Sequence, residues 1–207
     1  MKRLILALVL AAALAGLSVA SATAATSSTT LRFRGLAADV GFFQVDGTGC
    51  VSTFVENFGI SGRATESGVG STKQVNVEAF VDIYDACNNV ETFMTCSSDS
   101  ASVNIDRQLT MATISGTLTC TDVNTGATCQ LSKSETLQGT GEIASGLEHF
   151  QYRQGGYLFN ATFHGRFRDA QVTSASVTGC GVSLTEADAV FAQLQSVSSG
   201  TVEVIRA

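Results

Sequence analysis

Short runs in which apolar and polar residues alternate recur along most of this chain, for example over residues 75–83, 112–118 and 157–163. A period of two residues is typical of a β-strand with one buried face and one wetter face. Glycine, asparagine, aspartate and serine separate the runs, as expected for turns between strands. The pattern therefore predicts an all-β protein, a single-domain antiparallel β-sandwich or barrel over residues 31–207.

Two pairs of cysteines share one spacing, with eight residues between the members of each pair, and each pair follows an alternating run. Cysteines that flank a short turn can lie opposite each other on neighbouring strands. We therefore expect three disulfides, two that staple tandem hairpins and one that closes the domain: Cys87–Cys96, Cys120–Cys129 and Cys50–Cys180. Six cysteines allow fifteen pairings, so other connectivities stay open.

The residues around Gly155-Gly156 predict a further hairpin, rich in aromatic side chains. A two-residue turn there places Tyr152 opposite Phe159 and His149 opposite Thr162. One face then carries rings that are expected to be core, namely Phe150, Tyr152, Tyr157, Phe159, Phe163 and Phe167. The other face carries polar and basic side chains, namely His149, Arg153, Asn160, His164, Arg166 and Arg168.

Two segments of the chain have more than one interpretation. The inward-facing positions are odd-numbered from Ala101 to Met111 and even-numbered from Ala112 onward, which predicts either a bend or turn near Asp106–Arg107 or a bulge at Met111–Ala112. Residues 183–198 repeat apolar side chains at helical spacing, and Ser183 with Glu186 matches a capping box. We interpret this segment as one short C-terminal helix, with another strand as the alternative.

Residues 1–24 predict a secretory signal peptide. Met1-Lys2-Arg3 is a basic start, residues 4–17 are apolar, and Ala22-Thr23-Ala24 is a cleavage site of the small-x-small kind. The apolar run is short for a membrane span, and no later run is long enough. Residues 25–30 predict a flexible linker. We expect a secreted mature chain, extracellular or in the cell envelope, with no membrane span.

Charge and cysteine content narrow the possible partners. The chain carries 18 acidic residues against 12 lysines and arginines, a net charge of −6. Such a protein is a poor ligand for nucleic acid, so we expect no nucleic-acid partner. An even number of cysteines in an exported chain indicates disulfides rather than metal ligands. No motif indicates a cofactor or a metal, and the expected partner is a glycan or a surface protein.

One face of the strand at residues 75–83 alternates acidic and aromatic side chains and is expected to point outward: Glu78, Phe80, Asp82 and Tyr84. Rings next to carboxylates can stack on a sugar and bind its hydroxyl groups, which makes these four residues candidate ligand-binding positions. Glu78 and Asp82 are about 13 Å apart at the rise of a strand. That separation exceeds the carboxylate distances of glycosidases unless another strand supplies the partner.

The polar face of the aromatic hairpin supplies the other candidate ligand-binding residues: His149, His164, Arg166 and Arg168. The two histidines are the only ones in the chain, so any catalytic pair with histidine must use one of them. No G-x-S-x-G elbow is present, and no third ligand accompanies the histidines as zinc would require. The arginines suit a carboxylate or sulfate, or pair with acids of neighbouring strands. No catalytic residue is assigned.

Three classes of function fit this sequence. The first is a secreted, disulfide-stabilised β-domain that acts without catalysis as a binding, envelope or matrix module, and it is the expectation that we adopt. The second is an exported hydrolase whose site is assembled from distant residues. The third is an inhibitor-like protein that presents a stapled loop such as residues 88–95.

Overall fold

The computed structural model describes residues 28–68, 71–154 and 157–206, and nearly all of them lie in antiparallel strands. This confirms the expected all-β class. Within these ranges the only helical segment is a single 3-10 turn, Glu186–Asp188. The strands are β1 (Ser28–Val45), β2 (Val51–Gly68), β3 (Ser71–Gln74), β4 (Val77–Asp85), β5 (Val90–Ser98), β6 (Ser102–Ile105), β7 (Met111–Asp122), β8 (Thr128–Gly139), β9 (Ala144–Gln154), β10 (Tyr157–Gly179), β11 (Val182–Thr185) and β12 (Ala189–Arg206).

One sheet contains all of these strands, and it closes on itself. The ring runs in the order β1-β12-β10-β8-β7-β5-β4-β2 and returns to β1, because β1 pairs with β12 on one side and with β2 on the other. The long strand β10 pairs with β9 and β12 along its first half and with β8 and β11 along its second half. Closure gives each of the eight ring strands a neighbour on both sides, and proline, which can protect an open strand edge, is absent from the chain.

Four hairpin turns lie at one end of the ring, because β1, β4, β7 and β10 all run toward that end and their successors run back. Aspartates organise three of these turns by accepting backbone N–H groups. Asp46 accepts from Cys50 and Val51, Asp85 from Cys87 and Asn88, and Asp122 from Asn124 and Thr125. Strand β1 starts and strand β12 ends at the opposite end of the ring, where Ser28 pairs with Ile205.

The buried side chains form two cores. The enclosed core lies inside the ring and is mostly aliphatic, with members such as Val40, Val55, Val81, Ile114, Leu131, Leu137 and Leu194. The aromatic core packs against the opposite face of β2, β4 and β5, and it also contains side chains of β1, β10 and β12. Its rings are Phe33, Phe58, Phe80, Phe93, Phe159, Phe163 and Phe167.

The aromatic hairpin β9–β10 has the register that the sequence predicts. Tyr152 pairs with Phe159, and His149 pairs with Thr162. The buried side chains of Phe159 and Phe163 contribute to the aromatic core as expected. The predicted core side chains of Phe150, Tyr152 and Tyr157 are outside the described part of the structure.

All six cysteines form disulfides, but the three predicted pairings are wrong. The bonds are Cys50–Cys87, Cys96–Cys120 and Cys129–Cys180. The β4–β5 hairpin closes with Asp85 opposite Val90, so Cys87 lies in the turn and Cys96 faces Ala79 instead. There Cys87 bonds to Cys50 in the neighbouring β1–β2 turn.

The second cysteine hairpin has the expected register and a different bond. Cys120 does lie opposite Cys129 in the β7–β8 pair. On its other side, however, Cys120 lies opposite Cys96 of β5, with a Cα–Cα distance of 3.9 Å, and the bond forms there. Cys129 then bonds to Cys180 in the β10–β11 turn.

The C-terminal helix prediction is also wrong, and the strand alternative is correct. Residues 183–198 lie in β11, the 3-10 turn and β12, because β12 pairs with both β1 and β10 and completes the ring. A capping box does form, between Thr185 and Asp188 rather than between Ser183 and Glu186. The predicted turn near Asp106–Arg107 is present, since Asp106 accepts the backbone N–H groups of Thr110 and Met111.

The predicted signal peptide, residues 1–24, lies outside the described residues. Strand β1 begins at Ser28, so the last three residues of the predicted linker belong to the sheet.

Candidate functional site

The outer face of β4 passes from the aromatic core to the surface along its length. The exposed fraction is 0% at Glu78, 3% at Phe80 and 7% at Asp82, and it reaches 38% at Tyr84. The expectation of an outward face is therefore wrong for the first three residues. The reason is that Phe159 of the aromatic hairpin packs edge-on to Phe80, with ring centroids 5.3 Å apart, and covers this part of the strand.

Tyr84 lies in a patch of exposed side chains next to the hairpin turns. Two cross-strand rows lie here: Val45, Ser52, Tyr84 and Glu91 in one, and Phe43, Phe54, Asp82 and Phe93 in the other, which passes from exposed Phe43 to buried Phe93. Phe43, Val45 and Tyr84 are large apolar side chains that are exposed to solvent. We call the outward side chains of Phe43, Val45, Phe54, Tyr84 and Glu91 the turn-end platform.

A pair of carboxyl groups borders the turn-end platform. Glu91 of β5 is a hydrogen-bond partner of Asp82 of β4, and it lies opposite Tyr84. Partial burial, together with the charge of Asp82 and this hydrogen bond, raises the pKa of Glu91 to about 7. Near neutral pH the pair therefore holds a proton part of the time and can both donate and accept hydrogen bonds.

Glu91 is not among the candidate residues that the sequence pattern predicts. Strand β5 does supply a carboxyl partner for Asp82, namely Glu91. Two hydrogen-bonded carboxyl groups, however, are closer together than the roughly 5 Å or more that separates the catalytic carboxylates of glycosidases. The pair is thus suited to binding hydroxyl groups rather than to glycosidase chemistry. The register of the β4–β5 hairpin, which pairs Asp85 with Val90, is the signal that identifies Glu91 as a neighbour of Tyr84.

Covalent and polar contacts hold the turns beside the platform. The Cys50–Cys87 disulfide ties the β1–β2 turn to the β4–β5 turn. The hydroxyl group of Tyr84 donates to Oδ1 of Asn89 in the same turn, at 3.3 Å, which restricts the ring. A hydrogen bond from Thr48 lowers the pKa of Asp46, and one from Asn88 lowers the pKa of Asp85, so both turn aspartates stay ionised. The platform is therefore largely preorganised.

The polar face of the aromatic hairpin holds separate local contacts rather than one site. His149 Nδ1 lies 3.0 Å from Oγ1 of Thr162, and His164 Nδ1 lies 2.8 Å from Oγ of Ser198. The Ser198 hydroxyl donates to the carbonyl oxygen of His164, so Nδ1 must donate to Oγ and cannot take its proton. This arrangement does not activate Ser198 as a nucleophile.

Arg166 and Arg168 donate to the backbone carbonyl groups of Arg107 and Leu109, in each case at 3.4 Å. The two arginines therefore contact the turn between β6 and β7. The sulfur atoms of Cys120, Cys129 and Cys180 lie within 4.8 Å of one another, but disulfide bonds occupy all three. In the described ranges, no helix combines the length and the apolar character needed to cross a membrane.

The fold and the platform define a disulfide-bonded, antiparallel β protein with an exposed apolar and acidic surface at its turn end. Comparison with protein-family models, with curated proteins and with solved structures found no match.

Proposed function

We propose that this chain is a secreted, non-enzymatic binding module that recognises a glycan of a surface or matrix through the turn-end platform. The observation that carries the proposal is the juxtaposition of exposed Phe43 and Tyr84 with the Asp82–Glu91 carboxyl pair. Contiguous exposed apolar side chains of this kind mark interaction sites.

A glycan fits this surface for two chemical reasons. Aromatic rings pack against the apolar C–H face of a sugar, while the carboxyl pair can accept and donate hydrogen bonds to ring hydroxyl groups. The charge of the protein narrows the class further. A net charge of −6 and carboxyl groups at the platform disfavour sulfated or acidic chains, so the proposed ligand is a neutral or amino-sugar polysaccharide.

Export is part of the proposal and rests on the signal-peptide pattern of residues 1–24, with three disulfides as support from the fold. Expression of the full chain in a secreting host should release a protein whose first residue, determined by mass spectrometry, is Ala25. A cell-retained protein that begins at Met1 or Lys2 would contradict export.

Binding to arrayed neutral and amino-sugar oligosaccharides and to insoluble cell-wall polysaccharide tests the ligand. Tyr84→Ala and Phe43→Ala should each weaken binding about tenfold or more, as when an interface loses a ring worth about 1.4 kcal/mol. Val190→Ala is the matched control, because Val190 is an exposed apolar residue outside the platform. Each variant should remain folded and lose less than about 1 kcal/mol of unfolding free energy, so that loss of binding reports the surface.

Periodate treatment of the cell-wall fraction separates a glycan from a protein ligand. Periodate cleaves vicinal diols of sugars, so a glycan ligand loses binding while a surface protein retains it. Binding that survives periodate and disappears after proteolysis of the fraction would replace the glycan by a protein partner. No binding to either class would leave the platform without its proposed role.

The two other classes have weaker support. A hydrolase would use His149 or His164, and the hydrogen bonds of both imidazoles in the described residues go to hydroxyl groups, not to carboxylates. An inhibitor would use residues 88–95, of which Phe93 and Met94 are buried in β5 and only the short turn and its flanks are exposed. If the intact protein inhibits a member of a panel of proteases, that result would support the inhibitor class instead.

A further inference from the structure

Three polar side chains meet inside the enclosed core. Lys133 and Glu135 face inward from β8, between the buried Leu131 and Leu137, and Asn57 faces inward from β2. Lys133 Nζ and Asn57 Nδ2 both lie 3.2 Å from the same atom, Oε1 of Glu135. The side chains of Lys133 and Glu135 have no exposed surface, and Asn57 has none either. An amine, a carboxamide and a carboxyl group therefore share one contact that water does not reach.

The hydrogen bonding of these groups is incomplete. Asn57 Oδ1 and Glu135 Oε2 have no hydrogen-bond partner, and Lys133 Nζ has only its ion-pair contact. A buried ion pair needs further hydrogen bonds to offset the loss of hydration, and unsatisfied buried polar atoms are rare in folded proteins. A simple structural ion pair does not explain this arrangement.

Burial also changes the protonation of the two ionisable groups. Desolvation lowers the pKa of Lys133 and raises the pKa of Glu135, and their mutual attraction opposes both changes. The neutral pair, a free amine beside a protonated carboxyl group, becomes accessible in this environment. A neutral amine is a nucleophile, and a protonated carboxyl group can donate to an amide oxygen.

We propose that Lys133 and Asn57 form an intramolecular isopeptide bond between β8 and β2, with Glu135 as the catalytic residue. The amide of Asn57 turns about its Cβ–Cγ bond, so that Oδ1 accepts the proton of Glu135. The Nζ lone pair attacks Cγ, and a new C–N bond forms. Glu135 transfers one proton from Nζ to Nδ2, the Cγ–Nδ2 bond breaks, and ammonia leaves. The proton on Oδ1 returns to Glu135.

This reaction is balanced without an oxidant or a cofactor. A primary amine and a primary amide give a secondary amide and one molecule of ammonia. The product also gives hydrogen-bond partners to polar atoms that lack them before the reaction. The new N–H donates to one oxygen of Glu135, and the protonated carboxyl group donates to the new amide oxygen. Neither Lys133 nor Glu135 is then an ion, which removes the desolvation penalty of the ion pair.

Tryptic peptide mapping of the purified, folded protein, with disulfides reduced and alkylated after unfolding, tests the bond. Without the bond, trypsin cleaves after Lys133 and releases residues 35–63, 108–133 and 134–153 as three peptides. An acylated Lys133 is not a trypsin site. The expected product is therefore one branched peptide that joins 35–63 to 108–153, lighter by one ammonia than the sum of the two chains. Three separate peptides from folded protein after prolonged incubation would overturn the proposal.

Variants assign the roles. Glu135→Gln retains the shape of the side chain and should release the three separate peptides, because it removes the proton carrier. Asn57→Ala should do the same, because it removes the acyl group. Gln195→Ala is the matched control, since Gln195 is another fully buried amide and lies on β12. It should retain the branched peptide.

Circular dichroism and non-reducing peptide maps verify that each variant folds with the wild-type disulfides. If Glu135→Gln folds and still gives the branched peptide, Glu135 is not the catalytic residue. If a variant fails to fold, the wild-type peptide map alone decides whether the bond exists.

Discussion

The two cores of this protein differ in the side chains that form them. The enclosed core contains small and aliphatic side chains, and among its described members Phe42 is the one aromatic residue. Cys96 and Cys120 belong to it, and Cys129 and Cys180 pack against it, so two disulfides cross or border its volume. The aromatic core contains large rings that contact one another, as in the Phe80–Phe159 and Phe93–Phe159 pairs, and no disulfide crosses it.

The difference shows two ways to stabilise an antiparallel sheet. Large rings bury on the order of 150–250 Å² each, so the aromatic core derives its stability from apolar surface removed from water. Covalent links restrict the unfolded chain instead, so the two disulfides at the enclosed core add stability that does not come from buried apolar area. Reduction should therefore remove a contribution to stability that belongs to the enclosed core, and truncation of a ring should remove one that belongs to the aromatic core.

Truncation of a ring should have the largest effect. Phe159→Ala in the aromatic core should lower the free energy of unfolding by about 3–5 kcal/mol, because it leaves a cavity among rings that cannot collapse fully. Phe43→Ala is the matched control, since Phe43 is 40% exposed at the platform, and it should cost less than about 1 kcal/mol. Urea unfolding of both variants measures the difference. Equal costs would show that the aromatic core tolerates the cavity.

Removal of a disulfide should have the next largest effect. Cys96→Ala with Cys120→Ala opens a loop with a sequence separation of 24 residues, which corresponds to roughly 3–4 kcal/mol in the chain-entropy model. Urea unfolding without reductant measures the loss, and non-reducing peptide mapping should show the remaining bonds as Cys50–Cys87 and Cys129–Cys180. In reducing buffer the variant and the wild type should converge. Phe159→Ala should differ from the wild type in both buffers, which separates the two modes of stabilisation.

The carboxyl pair of the platform should give a smaller, pH-dependent effect. The folded pKa of Glu91 is about 7 and the ordinary value is 4.5. The folded state therefore binds its proton more tightly than the unfolded state does. The resulting stability is complete below about pH 4.5 and is lost as the pH rises through about 7.

Glu91→Gln should remove that part of the pH dependence, so the wild type should lose stability relative to the variant between these two pH values. Because Glu91 is more than one third exposed, solvent screening should hold the change well below the roughly 1.4 kcal/mol per pKa unit of a buried group. Thermal unfolding at a series of pH values measures it. Parallel profiles of the variant and the wild type would show that Glu91 titrates normally.

Local patterns predicted those parts of the fold that depend on neighbouring residues in the chain. The register of β9–β10 follows from a two-residue turn and alternation on both sides, so Phe159 could be assigned to a core from the sequence. The opposition of Cys120 and Cys129 followed in the same way. The bond that Cys120 makes depends on β5 lying beside β7, which is a property of strand order in the sheet.

The same distinction, between features set by neighbouring residues and features set by distant strands, applies to the candidate site. Glu91 opposite Tyr84 follows from the β4–β5 register and was predictable in principle. The burial of Glu78 and Phe80 was not, because the strand that covers them is distant in sequence. Lys133 and Glu135 carried a local signal, since both occupy inward positions of an alternating strand between Leu131 and Leu137. Their contact with Asn57 depends on β2 and β8 meeting across the ring.

The position and the pairing of β1 determine how the protein should resist a pulling force. It begins at Ser28 at one end of the ring and finishes at Val45 beside the platform, and it pairs with β2 and β12 along its length. A pull between a ligand on the platform and a tether at Ser28 runs parallel to this strand. Such a force loads the hydrogen bonds on both sides of β1 together, in shear. A pull that separates Ser28 from Ile205 instead opens the β1–β12 pairs one after another, so the protein should resist the first direction far longer than the second.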